Sequence, residues 1–110
     1  MKKAFDRFID RFVKKPQSSV PAGMYTAQPD PKINLPYRIH LRVETDGSGI
    51  LILNASTILH LNQTAVEYSY ALMTGMSAAE AAKKVSSFYA IDETTAEADY
   101  ADFKQRIETL

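Results

Sequence analysis

All five prolines of this 110-residue chain fall between positions 16 and 36. Proline lacks a backbone N–H and fixes φ, so Pro16, Pro21, Pro29, Pro31 and Pro36 forbid a regular helix there and favour extended chain. The sequence is thereby cut in three. An amphipathic start occupies residues 1–15, and a linker, expected to be mobile or draped over the surface, covers residues 16–36. A regular, proline-free domain covers residues 37–110. A chain of this size is one domain and buries roughly two-thirds of its unfolded surface, enough to fold without staples. Apolar residues at 45% exclude a wholly disordered chain, and the absence of cysteine excludes disulfides, thiolate metal sites and cysteine nucleophiles.

Residues 2–14 place Phe5, Phe8, Ile9 and Phe12 at helical spacing with charges on the other face, an amphipathic helix ended near Pro16. It could pack on the domain's own sheet, dock a partner enzyme or a second copy, or lie on an anionic membrane. The zero net charge is uneven. Six basic groups against Asp6 and Asp10 give residues 1–15 a charge of +4, and the remaining 95 residues sum to −4. Asp6, Arg7, Asp10 and Arg11 interrupt any signal-peptide core, and no stretch approaches the roughly 20 apolar residues of a membrane span. The chain therefore reads as cytoplasmic.

From Tyr37 the pattern is regular. Tyr37, Ile39, Leu41 and Val43 alternate with Arg38, His40, Arg42 and Glu44, the period of a half-buried strand. Asp46-Gly47-Ser48-Gly49 is a hairpin turn. Residues 50–53 make a second strand, too apolar to have one face in water, and after Asn54-Ala55-Ser56 the third strand covers residues 57–61. Three helices follow. Asn62 caps the first, over residues 63–74, with Ala65, Val66, Ser69, Tyr70, Leu72 and Met73 inward and Gly75 as its stop. Ser77 and Glu80 form a capping box for the second, which runs to about Tyr89 and buries Ala81, Ala82, Val85 and Phe88. Asp92 caps the third, whose stripe is Ala96, Tyr100, Phe103, Ile107 and Leu110. The expected class is α+β: a three-stranded antiparallel β-meander followed by three α-helices, winged helix-turn-helix-like, with the extra N-terminal helix.

Little in this inventory is catalytic. His40 and His60 alternate with apolar strand residues and have no second ligand at metal-site spacing, so they read as partly exposed strand histidines and no metal or cofactor is expected. No Gly-rich phosphate loop and no nucleophile elbow occurs. Glu93, Glu97, Asp99, Asp102 and Glu108 of the third helix read as a solvated face. The winged-helix order makes a DNA-binding regulator the first alternative, but from Gln63 onward four basic groups stand against eight acidic, a surface that repels a duplex. Peptide binding fits better. The last strand of a meander is an edge whose N–H and C=O groups accept one more strand, unless the linker or a second copy in a homodimer covers it.

Residues 50–110 resemble the PqqD-like family, the RiPP recognition element that binds precursor leader peptides. The likeness lies in the strand pair ending at Leu61-Asn62, Thr64-Ala65 opening a helix, Gly75, the Ser77-Ala78-Ala79-Glu80 helix start, and Tyr89-Ala90-Ile91-Asp92 before the last helix. The resemblance implies a non-catalytic module that binds the leader of a ribosomally made precursor by strand addition. It presents the precursor to a modifying enzyme, often of the radical S-adenosylmethionine type, in cis or in trans. On this sequence the docking edge implied is Thr57, Ile58, Leu59, His60 and Leu61, faced by Tyr100, Phe103, Lys104 and Ile107, with Lys104 and Arg106 pairing with acidic leader side chains. The ending Glu108-Thr109-Leu110 departs from the family's Leu-Gly-Leu-type close, which suggests a short variant or the N-terminal part of a longer enzyme. The 36 leading residues are a second departure.

Overall fold

The structure, a computed structural model, describes residues 19–110. The expected helix of residues 1–15 lies outside the described residues. Four strands, β1 (Gly23–Ala27), β2 (Ile39–Val43), β3 (Gly49–Leu53) and β4 (Thr57–Leu61), form one antiparallel sheet in sequential order. Three helices follow: α1 (Gln63–Thr74), α2 (Ala78–Phe88) and α3 (Glu93–Glu108).

The sheet corrects the three-stranded expectation. The linker supplies β1, which runs antiparallel to β2 with Tyr25 opposite Leu41. Beyond β1, a 3-10 turn at Pro31–Ile33 is capped by Asp30, and Leu35 and Val20 are buried in the core. The described part of the linker is thus folded against the domain, which begins upstream of residue 37. Proline is tolerated because Pro21, Pro29, Pro31 and Pro36 all lie outside the strand.

Alternation sets the inner face. Ile39, Leu41, Val43, Leu51 and Leu53 are buried, whereas Ile50 and Ile52 of β3 point away from the helices and are only half-buried. Residues 50–53 therefore do have one side on the sheet's outer face, contrary to the reading from their apolarity. Gly49 is required by close approach: a Cβ there would meet the Arg42 carbonyl oxygen at 2.7 Å and Val66 Cγ2 at 2.9 Å.

The helix ends follow their sequence signals. The Asn62 side chain accepts from the Ala65 N–H at 3.0 Å, and the Asp92 side chain from the Thr95 N–H at 2.7 Å. Both halves of the Ser77–Glu80 box are present. Gly75 closes α1 at φ 76°, and a Cβ there would lie 2.5 Å from Ile33 Cγ2 of the linker.

α1 is buried on more than one face because it lies between the sheet and the other helices. Val66, Leu72 and Met73 join the sheet cluster, while Tyr68 and Ala71 join a second cluster with Ala81, Ala82, Val85, Tyr89 and Tyr100. Two expectations for α3 change. Asp99 is buried rather than on the solvated face, and Leu110 is 64% exposed rather than on the buried stripe.

Candidate functional site

β4 is the last strand of the sheet and, among the described residues, pairs only with β3, Leu59 lying opposite Leu51. Its alternation divides the five expected docking residues. Thr57, Leu59 and Leu61 point to the helix side, half-buried, half-buried and buried, and Ile58 and His60 are exposed on the outer face. Among the described residues, no strand and no side-chain hydrogen bond or ion pair occupies β4. The segment that might have covered this edge, the linker, pairs at the opposite end of the sheet.

Leu59 and Phe103 both pack, half-buried, against the sheet cluster that contains Leu61 and Ile107. Four of the expected site residues thus share one apolar body. Tyr100 belongs to the second cluster, 1% exposed, with its ring 5.7 Å from that of Tyr68. It backs the surface and does not form it. Phe103 joins the two clusters, its ring 6.0 Å from Tyr68.

The two basic groups of α3 differ. Arg106 Nε is held by Asp102 Oδ2 at 2.9 Å, one turn away. Lys104 makes no ion pair with a described residue, and its Nζ lies 5.8 Å from the Tyr100 ring centroid. Of these two, Lys104 is the one without a carboxylate partner among the described residues. Burial pushes the Tyr100 phenol up to about 12. Burial, with the charge of Glu108 second, also raises Tyr37.

Sequence reasoning missed Glu67. Its carboxylate, 2% exposed inside α1, accepts from the Ser19 N–H at 2.8 Å, from the Ser19 hydroxyl and from Tyr89 Oη at 3.0 Å. Lys84 Nζ stands 4.0 Å away. A helix with apolar residues on several faces was the available signal, since any carboxylate on it has to be enclosed and partnered.

No cluster of three or more His, Asp or Glu converges among the described residues. A shallow cavity of about 290 Å³, lined by Pro29, Asp30, Pro31, Asn34, Leu35 and Pro36, sits on the linker and includes no residue of β4 or α3. No helix among the described residues is long and apolar enough to cross a membrane. Compared with family models, curated proteins and solved structures, the chain matches none.

Proposed function

We propose that this chain is a non-catalytic recognition module of the PqqD-like, winged-helix type. It binds the leader segment of a ribosomally synthesised precursor peptide as an added strand on β4 and presents it to a modifying enzyme, a radical S-adenosylmethionine enzyme acting in cis or in trans. One observation carries this reading: β4 is an edge strand that no described residue pairs on its outer side, with half-buried Leu59 and Phe103 against one apolar cluster. Main-chain bonds along the edge supply affinity, and the Leu59–Phe103 surface supplies side-chain selectivity. Lys104 supplies attraction for an acidic leader.

The test is titration of the isotopically labelled chain with the leader of a short precursor encoded beside it. Amide shifts should concentrate on residues 57–61 and 103–107, and Lys104→Glu should weaken binding roughly fivefold, as loss of a rim charge does. Shifts confined to other regions overturn the assignment. A DNA-binding regulator would instead show retention on duplex DNA that falls steeply with salt.

A further inference from the structure

The ladder fixes which main-chain groups of β4 face its open edge. In an antiparallel pair, opposite residues alternate between those that exchange both main-chain bonds and those that exchange none. The Glu44 N–H donates to the Ser48 carbonyl and the Asn54 N–H to the Arg38 carbonyl, both at 2.8 Å. Arg42–Ile50 and His40–Ile52, in step with these, are therefore the bonded pairs of β2 and β3. Gly49, Leu51 and Leu53 turn their main-chain groups the other way, to Leu61, Leu59 and Thr57 of β4. The N–H and C=O groups of Ile58 and His60 are left facing outward, and no described residue takes them. The usual deterrents to pairing are missing as well. β4 holds no proline, carboxylate, lysine or arginine, and its register with β3 runs without a bulge.

This edge is complementary to itself. With a two-fold axis at Leu59, Ile58 stands opposite His60 of the other copy and His60 opposite its Ile58, so every outward N–H and C=O is used. An axis at Ile58 or at His60 leaves half of them without a partner in the strands. The side chains agree with the axis at Leu59. On the helix side the two Leu59 residues meet as a non-bonded pair, where side chains come closest, and the half-buried Phe103 of each copy belongs to the same apolar cluster. On the outer face the pairing covers Ile58, otherwise 60% exposed, with an imidazole. The area fits a reversible contact. A five-residue edge is about 17 Å long and the sheet with its helix layer roughly 20 Å deep, so each copy covers on the order of 350 Å². That is under half of the roughly 800 Å² per partner of a stable complex. Such a dimer is transient, and a peptide offering its own strand competes with it.

We propose that a second copy of this chain pairs with β4 across a two-fold axis at Leu59, so that each copy closes the other's edge until a leader peptide displaces it. Leader binding is then coupled to dissociation, and apparent leader affinity falls as the concentration of the chain rises. The displacement rests on the recognition reading of β4; the pairing does not.

The test follows the full, unaltered chain from micromolar to millimolar concentration. The amide signals of Ile58 and His60 should move with concentration and translational diffusion should slow. Both should return to their dilute values when the same leader peptide is added. Shifts and diffusion that do not depend on concentration overturn the proposal. If the leader nevertheless binds such a monomeric chain, the recognition reading stands and the pairing falls. A dimer that the leader neither binds nor dissolves keeps the pairing and overturns the displacement. Because the chain has no cysteine, single cysteines locate the axis. Across it the two residues at position 59 have Cα atoms about 4.5 Å apart, within disulfide range, whereas the two at position 58 are diagonal neighbours about 7–8 Å apart. Leu59→Cys should therefore form disulfide-linked dimers roughly tenfold faster than Ile58→Cys, although Ile58 is the more exposed position. Equal rates, or the reverse order that exposure alone would give, overturn the axis.

Discussion

The two edges of this sheet are treated differently. At the β1 edge, Tyr25 meets Tyr70 of α1 edge-on, with centroids 5.5 Å apart, and Lys84 Nζ lies 4.7 Å from the other ring's centre. Val20 is buried, and Ser19 is tied twice to the buried Glu67. At the β4 edge, only Leu61 is buried, and what lies beneath is apolar and aromatic packing. Edge strands invite pairing, and proteins usually blunt them with charge, proline or cover. Here proline-rich chain is spent on one edge while the other keeps an exposed isoleucine. The contrast teaches that which edge stays open is a property of where the linker goes, because a linker paired with β4 would have closed that edge and left the β2 side open.

The strongest way to break that comparison is Glu67→Ala. It leaves the Tyr89 hydroxyl and the Ser19 N–H without their carboxylate in a closed site, and removal of such an acceptor costs about 3 kcal/mol. Denaturant unfolding should show that loss. Amide exchange in β1 should accelerate by local opening beyond what the global loss explains, while β4 follows the global change. If both strands accelerate alike, the edges are one cooperative unit and the contrast fails.

Much of the helical half is legible because its signals are local. Asn62, Gly75, the Ser77–Glu80 box and Asp92 each act within four residues, and each is found where its chemistry requires. β2 is equally legible, since Ile39, Leu41 and Val43 alternate strictly. β1 is not. Met24, Tyr25 and Thr26 are too few to show a period, and their strand exists only through pairing with β2, a contact remote in sequence. The outward turn of Ile50 and Ile52 is hidden for another reason: apolarity reports a wish for burial and not which layer provides it. Asp99 was misassigned because a helix rich in carboxylates suggests one wet face, whereas its position between Ala96 and Tyr100 turns it inward. The candidate site was legible as a strand and a helix stripe. Its inner division, with Tyr100 wholly enclosed and Phe103 at the surface, required the packing.

A second measurement sharpens the aromatic side of the comparison. The buried Tyr100 phenol is held up to about 12, so the fold favours its neutral form. Below pH 10 both folded and unfolded chains keep this proton, and it adds no pH dependence. Above pH 10 the unfolded chain releases it and the folded chain does not until about 12, so stability falls across that window. Tyr37, raised by burial and by Glu108, acts in the same direction. The fall assigned to Tyr100 is roughly 2 kcal/mol. The difference between the wild-type chain and Tyr100→Phe isolates it, and parallel pH profiles would show that α3 is looser over the second cluster than its enclosure implies.

The smallest expected effect lies at the hairpin that sets the β4 edge. Asn54 and Ala55 both have positive φ, at 50° and 65°. Asparagine tolerates that region, and Asn54 also bonds Arg38 from both its side chain and its N–H, at 3.0 and 2.8 Å. Alanine has no such compensation, and its Cβ crowds the neighbouring carbonyl. Ala55→Gly removes the crowding at the cost of a more flexible unfolded chain, for a net gain of about 0.5–1 kcal/mol. Thermal unfolding measures it, with a rise of a few degrees for a domain of this size. Since Ala55 is exposed and lies in the turn before β4, outside the paired strand, affinity for a leader peptide should not change. A variant that gained stability yet lost peptide affinity would mean that the strained loop, and not the strand edge, is what the peptide grips.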